Sequence, residues 1–483
     1  MTRSYSMPVL LSLVALLHVS ACHARIEARS SEEPLEDFDS VDVRPPSPSI
    51  VPTSPPPPAV ARTLSAISPA RLRASVDALA GFGTRHTLSA DAPDRGIAAA
   101  RRWLVAELGS AVVAGRPGPP LVVAAETFPL APDGRRVDRH ATLANVIATL
   151  PGTQPQAAAR RVYVVGHYDS RGSDVMDPEA PAPGANDDAS GVAVVLELAR
   201  VLAGQPLDAT VVFMATAGEE QGLLGAHLHA RAARDAGVRI TAVLSNDIVG
   251  DPSSPAGQRD DDHIRVFSSD VPLSLPPEAL VELRKSGSLA DGPSRQLARH
   301  VATIAAWERT PVQPVLVFRP DRFLRGGDHL AFDEAGFPAV RLTEVAEDYD
   351  RQHQDPRTEG ERRYGDLPEH VDVAYLAEVA RLDGAVLMHL ANAPSAPASP
   401  VVVATALTTD TTLRWPVAPE PDVAGYEVVW RPTTSPTWEQ LRDVGEATEI
   451  TLPLPKDDFV FGVRTYDRDG YRSPVAACGI DRG

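Results

Sequence analysis

The chain is poor in cysteine, in aromatic residues and in long apolar runs. Of its 483 residues only Cys22 and Cys478 are cysteines, and aromatic residues make up 5%. No internal stretch approaches the roughly 20 apolar residues that a membrane-spanning helix needs. Basic residues number 46 against 64 acidic ones, giving a formal charge of -18. These shortages argue against a disulfide scaffold, a membrane-spanning body and a nucleic-acid-binding surface.

Residues 1–22 are predicted to be a signal peptide. Arg3 precedes the apolar segment MPVLLSLVALL, and VSAC ends the segment in small residues. VSAC resembles a bacterial lipobox, with Val19 where leucine is usual, so we expect an exported bacterial protein that is anchored to the cell envelope through lipidated Cys22. Secretion after cleavage near Ala21 is the alternative. Once Cys22 is acylated, Cys478 has no partner for an intramolecular disulfide.

Three further segments follow the signal peptide. Residues 23–62 contain RPPSPSIVPTSPPPP and are predicted to be a disordered, Pro/Ser-rich linker. Residues 63–393 alternate apolar strands with amphipathic helices, which predicts an α/β domain whose mostly parallel central sheet is flanked by helices. After APSAPASP, residues 400–483 carry short alternating strands and resemble a fibronectin type III module, a small all-β sandwich with Trp415, Tyr426 and Tyr466 in its core.

Acidic residues and a histidine follow the central predicted strands. VYVVGHYDS ends with His167 and Asp169, GANDDASG contains Asp187 and Asp188, and AGEEQG contains Glu219 and Glu220. AVLSND ends with Asp247, and DRQHQDP supplies His353 far downstream. Parallel sheets collect such residues at one edge, where ligands bind.

Each of these residues has an ordinary structural interpretation when it is considered alone. A single histidine after a strand is more often a hydrogen-bonded residue than a ligand, and Asp187 or Asp188 could cap the following helix. Taken together, however, carboxylates that repel one another at one edge indicate a bound cation. Imidazole and carboxylate without thiolate favour zinc or another first-row divalent ion.

Two histidines and three carboxylates exceed the needs of one catalytic zinc. They suit two metal ions about 3.5 to 4 Å apart that share a carboxylate and activate a water. That water still needs a proton acceptor, and a carboxylate free of metal is suited to the role. The Glu219–Glu220 pair supplies one carboxylate for each task.

The motifs HYDS, GANDDASG, AGEEQGLLG and SNDIVG, in this order and followed by a histidine, resemble the bacterial dizinc aminopeptidase family. GDHLAFDEAGFPAV and GFGTRHT resemble two further segments of that family, and the resemblance spans about residues 65–392. It implies a zinc exopeptidase fold, two co-catalytic zinc ions and peptide substrates. It also implies a cis peptide bond between Asp187 and Asp188.

The resemblance assigns a role to each matching residue. Its implied metal ligands are His167, Asp187, Glu220, Asp247 and His353. Asp187 would bridge both ions, His167 and Asp247 would complete one site, and Glu220 and His353 the other. Glu219 would be the general base, while Asp169, Asp188 and Asp328 would lie around the ligands, with Asp169 orienting His167.

Two positions depart from the family pattern. Gln352 stands before His353, where the family commonly has a tyrosine that helps to hold the tetrahedral intermediate, and Tyr349 is the nearest substitute. Gly327 replaces the serine of the S-D-H segment. Both changes bear on rate and specificity rather than on the metal ligands.

The predicted activity is hydrolysis of the N-terminal peptide bond by a water activated by two zinc ions. Three alternatives keep the same fold: a non-catalytic receptor-like domain, a mononuclear glutaminyl cyclase and a carboxypeptidase-like or dipeptidase-like enzyme. Complete ligands argue against the first, and ligands for both ions argue against the second. The sequence leaves open which end of a peptide is read, and whether the C-terminal module contacts the envelope or a partner protein.

Overall fold

An eight-stranded sheet organises the larger part of the molecule. The computed structural model describes residues 50–111, 115–272 and 274–483. The strands of this sheet are β1 Val122–Leu130, β2 Ala141–Leu150, β3 Arg160–His167, β4 Thr210–Thr216, β5 Arg239–Asn246, β6 His263–Phe267, β7 Gln313–Val317 and β8 Ala339–Glu344. Their order is β1-β2-β4-β3-β5-β8-β6-β7. The pairs β4/β3, β3/β5, β5/β8 and β6/β7 are parallel and the other three antiparallel, so the predicted fold class is confirmed.

Helices cover both faces of this sheet. The helices of the described residues are α1 Pro58–Leu64, α2 Pro69–Gly81, α3 Gly96–Ser110, α4 Ala189–Leu202, α5 Leu224–Asp235, α6 Pro277–Ser286, α7 Pro293–Glu308, α8 Asp328–Glu334 and α9 Val373–Asn392, and α6 lies beside the C-terminal sheets rather than on this sheet. Successive residues of a strand point to opposite faces. Accordingly, Val162 and Val164 of β3 pack with α2, α4 and α9, whereas Tyr163 and Val165 pack with α5 and α8. Burial on both faces explains why the central strands are continuously apolar.

The prediction of an unpacked linker over residues 23–62 is wrong for its last part. Ile50 is buried, and α1 begins at Pro58 with Val60 and Leu64 facing the core. A proline at the first helical position costs no hydrogen bond, because the N–H groups of a first turn have no partner within the helix. The rest of the linker and the predicted signal peptide with Cys22 lie outside the described residues.

The C-terminal residues form two small sheets that face each other. After the hairpin β9 Arg357–Glu359 and β10 Arg362–Tyr364, the strands are β11 Val401–Val403, β12 Thr411–Arg414, β13 Val423–Pro432, β14 Gln440–Gly445, β15 Glu449–Leu452, β16 Phe459–Asp467, β17 Ala476–Ala477 and β18 Gly479–Asp481. The two sheets have the orders β15-β12-β11-β18 and β14-β13-β16-β17. Trp415 and Tyr426 lie in the shared core as predicted.

Tyr466 is not a core residue, contrary to the sequence-based prediction. Phe461 and Val463 of β16 face the core between the sheets. A residue at an even position of the same strand faces the other way. Tyr466 therefore points outward, and its hydroxyl donates to Asp443 at 3.0 Å.

The C-terminal sheets pack directly against the α/β part. Arg431 of β13 pairs with Asp291 at 2.7 Å, and both side chains are buried. Trp438 donates its indole N–H to Gln296 at 3.0 Å. All described residues consequently belong to one compact unit. Within the described ranges, no helix has the length and apolarity to cross a bilayer.

Asp383 of α9 supports the end of β5 from within the core. Asn246 donates its amide N–H to Oδ2 of Asp383 at 2.5 Å. Oδ1 of Asp383 and Oδ1 of Asn246 have no hydrogen-bond partner among the described residues. Burial raises the pKa of Asp383 to about 7, so the carboxyl holds a proton that it can donate.

We expect the free energy of unfolding to fall as pH rises from about 4 to 8, because folded Asp383 binds a proton that the unfolded chain releases. A pKa raised from 3.8 to about 7 corresponds to at most about 4 kcal/mol. The amide of Asp383→Asn can both donate and accept a hydrogen bond, as the protonated acid does, but it does not titrate. The substitution should therefore remove this pH-dependent contribution. Urea denaturation at pH 5 and pH 8 measures it. If the free energy of unfolding fell equally between pH 5 and pH 8 in the wild type and in Asp383→Asn, the role given to Asp383 would be wrong.

Candidate metal centre

The parallel strands deliver chemically active side chains to one edge of the sheet. His167 is the last residue of β3, Asp247 follows β5, and Glu219 and Glu220 follow β4. Asp187 comes from the loop before α4, and His353 from the segment after β8. The structure therefore brings together all six predicted side chains, although 186 positions separate His167 from His353.

Asp187 lies between the two histidines. Its Oδ1 is 3.2 Å from Nε2 of His167, and its Oδ2 is 3.0 Å from Nε2 of His353. Nε2 of His167 is buried and has no hydrogen-bond partner among the described residues. A carboxylate with one oxygen at each imidazole has the geometry of a bridging ligand.

The ligand atoms fall into two groups, each with its members within 4.8 Å of one another. One group contains His167, Glu219 and Asp247, and the other contains Asp187, Glu220 and His353. Imidazole nitrogens with carboxylate oxygens, and no thiolate, form a donor set that fits zinc. The sequence-based prediction gave Glu219 no contact with a metal, whereas here its carboxylate lies beside two predicted ligands of the first site.

Charge is concentrated at this centre. Burial raises the pKa of Glu219 well above its usual range, and the carboxylates of Glu220 and Asp247 act in the same direction. Burial lowers the pKa of His353, but the carboxylates of Glu220 and Asp187 outweigh it and raise that pKa to about 9. The centre therefore holds more negative charge than its two imidazoles neutralise, which favours a cation.

Asp188 and Asp169 use their carboxylates to hold backbone N–H groups. Asp188 accepts from the N–H of His167 at 3.0 Å and from that of Gly191 at 2.9 Å, so it joins β3 to the start of α4. Asp169 accepts from the N–H groups of Glu219 and Glu220 at 3.2 and 3.1 Å. Nδ1 of His167 is 3.2 Å from the carbonyl oxygen of Asp169 but 3.7 Å from its carboxylate. Asp169 thus holds the Glu219–Glu220 backbone more closely than it holds the histidine.

Gly191 lets α4 begin against the sheet. A Cβ at this position would lie 2.5 Å from the carbonyl oxygen of Asn246 at the end of β5. The close approach places the preceding Asp187 and Asp188 next to the ends of β3 and β5. The peptide bond between Asp187 and Asp188 is cis, as the family resemblance implies.

Arg341 is a buried cation at the centre that the sequence-based prediction missed. Its guanidinium lies 2.9 Å from Oδ2 of Asp247 and 3.2 Å from Oδ2 of Asp321. At Gly327, where the family has serine, a Cβ would lie 2.9 Å from Nη1 of Arg341. The glycine therefore leaves room for this guanidinium. An arginine between the apolar residues Val340 and Leu342 of β8 was the sequence signal for this residue.

Asp328 and Asp366 lie around the ligands. Asp328 is buried and accepts a hydrogen bond from Thr216, and burial raises its pKa to about 6. Asp366 accepts from the N–H of Asp187 at 2.7 Å and from that of Asn186 at 2.8 Å. Asp366 carries no motif, and only the folded chain places it under the bridging residue.

Two more arginines lie beside His353, near the place in the sequence where the family has a tyrosine and this chain has Gln352. Gln352 is buried and donates to Glu347 at 3.2 Å, and Tyr349 is 55% exposed. Arg171 instead contacts Glu220 at 2.9 Å and Nδ1 of His353 at 2.6 Å. Arg325 lies 3.0 Å from the same Nδ1. Cations therefore occupy the rim beside His353.

Comparison with known proteins agrees with this arrangement of motifs. The model of peptidase family M28 matches residues 145–371. A "probable zinc metalloprotease" of Leptosphaeria maculans is 42% identical over 411 residues, covering 85% of this chain and 94% of its own. Another, of Pyricularia oryzae, is 44% identical over 429 residues, covering 85% of this chain and 82% of its own. These relatives are fungal, whereas the sequence motifs pointed to a bacterial family.

A similar solved structure is the aminopeptidase LapA of Legionella pneumophila. It is 18% identical and covers 69% of this chain and 75% of its own, with a TM-score of 0.48.

Replacing Arg341 with methionine should destabilise the fold by about 3 to 5 kcal/mol, because buried Asp247 and Asp321 lose their partner. Burial would raise the pKa of Asp321, but the guanidinium of Arg341 helps to lower it to about 2. The loss of unfolding free energy caused by the substitution should therefore be full above about pH 4. It should shrink below that pH, where the carboxylates become protonated. Denaturation of the metal-free protein at pH 3 and pH 7 measures both effects.

Arg362→Met is the matched control for this variant. Arg362 pairs with Asp350 on the surface, its side chain is 55% exposed, and such pairs contribute about 0 to 1 kcal/mol. Equal effects of the two substitutions would contradict the role assigned to Arg341.

Proposed function

The chain belongs to peptidase family M28 and is a zinc-dependent metallopeptidase, and on this premise we propose that it is a two-zinc aminopeptidase. The observation that carries the proposal is the carboxylate of Asp187, with one oxygen 3.2 Å from His167 and the other 3.0 Å from His353. His167 and Asp247 would hold one ion, Glu220 and His353 the other, and Asp187 both.

Bound zinc would supply a Lewis acid that polarises the scissile carbonyl and lowers the pKa of a water. Glu219 would accept the proton of that water and pass it to the leaving amine. Its carboxylate, which lies beside His167 and Asp247, supports this role. Asp169 would hold Glu219 and Glu220 in position through their backbone N–H groups.

A carboxylate-reading exopeptidase is the second candidate. Arg325 contacts His353, and no carboxylate among the described residues pairs with it in an ion pair. A guanidinium at the rim repels the free amine of a peptide and attracts its C-terminal carboxylate. The free amine of an aminopeptidase substrate would instead lie near Glu219 and the other carboxylates.

The remaining alternatives have less support. A non-catalytic receptor-like domain has no need of six converging ligand and base side chains. A glutaminyl cyclase with one zinc needs only one ligand group, whereas two groups lie at this edge.

We also propose that the protein is exported, with Cys22 as the site of a lipid anchor or with cleavage before it. The support is the sequence of residues 1–22 alone. The C-terminal module is proposed to be fibronectin type III-like, because two four-stranded sheets enclose Trp415 and Tyr426. An envelope or protein contact through this module is part of the same proposal.

Substituting the two glutamates separately tests their division of labour. Glu219→Gln should keep two zinc ions per chain and lose turnover by about 10²- to 10⁴-fold, the usual contribution of a general base. Glu220→Gln should lose one ion. Zinc measured by mass spectrometry, together with turnover, separates these results. Glu334→Gln, at an exposed position of α8, is the control, and equal metal loss in both active-centre variants would refute the proposal.

Four forms of one peptide test which end of the substrate the enzyme recognises. The amine is free or acetylated, and the C-terminus is free or amidated. We expect cleavage of the peptides with a free amine, whether the C-terminus is free or amidated, and none of the N-acetylated forms. Chelator should abolish cleavage and added zinc restore it. Cleavage of acetylated peptide with a free carboxylate, lost in Arg325→Gln, would establish the second candidate instead.

A further inference from the structure

A cavity of about 690 Å³ lies between the α/β part and the C-terminal sheets. We call it the C-terminal cavity. Its walls include Leu283 of α6, Leu297 of α7, Leu390 of α9 and the segment Pro474–Ile480 that contains β17 and β18. None of the candidate metal ligands lines it. Its volume is in the range of sites that take small organic ligands.

The cavity lies at the opposite edge of the sheet from the metal centre. Its lining includes Arg160 and Arg239, which are paired neighbours at the beginnings of β3 and β5. The metal centre lies at the ends of the same strands. Eight residues of extended chain separate the two places by roughly 20 Å. A ligand here is therefore distinct from a peptide substrate.

Helix α6 covers the cavity without burying any of its own residues. Leu283 lines the cavity and is only half-buried, whereas Val281 of the same helix is 47% exposed and lies outside the lining. Short helices in water depend on packing of an apolar face for their stability. An apolar ligand would bury more of the apolar face of α6 than the protein alone does.

The polar end of the cavity carries unbalanced positive charge. Asp291 in the lining already pairs with Arg299 and Arg431. Arg160 is 3.6 Å from Glu420, and its buried Nε–H has no acceptor among the described residues. Arg239 is exposed and donates to Ser395 at 3.1 Å, and no described carboxylate pairs with it. An anionic group would complement Arg239.

From these observations we propose that the C-terminal cavity binds a free long-chain fatty acid. The hydrocarbon chain would lie against Leu283, Leu297 and the β17–β18 segment. The carboxylate would pair with Arg239 and approach the free Nε–H of Arg160. This inference does not depend on the peptidase assignment.

Binding of saturated fatty acids to the full-length protein tests the proposal. Displacement of a fluorescent fatty acid should show affinity rising about tenfold for every two methylenes added between octanoate and hexadecanoate, as expected when each methylene is buried. Hexadecanol should bind at least tenfold more weakly than hexadecanoate, because it lacks the charge that Arg239 recognises. Hydrogen exchange of α6 should slow when hexadecanoate binds.

Two variants with matched controls locate the ligand. Leu283→Asp puts a carboxylate into the wall and should weaken hexadecanoate binding at least 30-fold, whereas Val281→Asp on the same helix should not. Arg239→Gln should remove the preference for hexadecanoate over hexadecanol, whereas Arg234→Gln, at an exposed position of α5, should keep it. Peptidase activity should be unchanged in all four variants.

Any one of three results in the fatty-acid assays would overturn the proposal. They are wild-type affinity in Leu283→Asp, affinity independent of chain length, and equal binding of hexadecanol and hexadecanoate by the wild type. Binding to phosphatidylcholine vesicles but not to free hexadecanoate would also refute it, and would identify the face as a membrane-docking surface. Native mass spectrometry could instead show that hexadecanoate makes the protein dimerise while Leu283→Asp does not weaken its binding. That result would also refute the proposal and would identify an interface between two copies.

Discussion

Repulsion between buried carboxylates is the constraint around which the α/β part is built. Asp187, Glu220 and Asp247 lie at one edge of the sheet and are buried, with Glu219 beside them. Like charges in a medium of low dielectric destabilise one another, so these side chains tolerate such proximity only with compensating cations. Arg341 compensates Asp247, and Arg171 compensates Glu220. The imidazoles of His167 and His353 face Asp187, and zinc, which membership of a zinc peptidase family implies, would supply further positive charge when bound.

Three further carboxylates orient the backbone around the candidate ligands. Asp188, Asp169 and Asp366 accept hydrogen bonds from the N–H groups of His167, of the Glu219–Glu220 pair and of Asp187. Four of the residues that would surround a metal, His167, Asp187, Glu219 and Glu220, are thus fixed through their main chains by neighbouring carboxylates. Outer groups of this kind set the precision of a metal centre. The arrangement explains why several acidic residues of one motif have unlike functions.

The C-terminal sheets are part of the same compact unit rather than a tethered addition. The buried pair of Asp291 and Arg431 and the bond from Trp438 to Gln296 join them to α7 and the turn before it. Removing one member of such a pair would leave a buried charge without a partner, so the two parts depend on each other for stability. The same interface leaves the C-terminal cavity on the side of the sheet away from the metal centre, where a second ligand would not compete with peptide.

The sequence by itself determined the fold class, the strands of the central sheet and the motifs that follow them, because these depend on local periodicity and on residues adjacent in the chain. It failed where distant residues meet. Arg341, Asp366 and Arg325 carry no recognised motif. Ile50 packs with residues of the C-terminal sheets, and α1 packs against α4 and α9, so the packing of both depends on surfaces that form only in the fold. The outward face of Tyr466 depends on the register of β16. Only the tertiary structure decided these, because burial, charge compensation and the pairing of His167 with His353 around Asp187 exist only once the chain has folded.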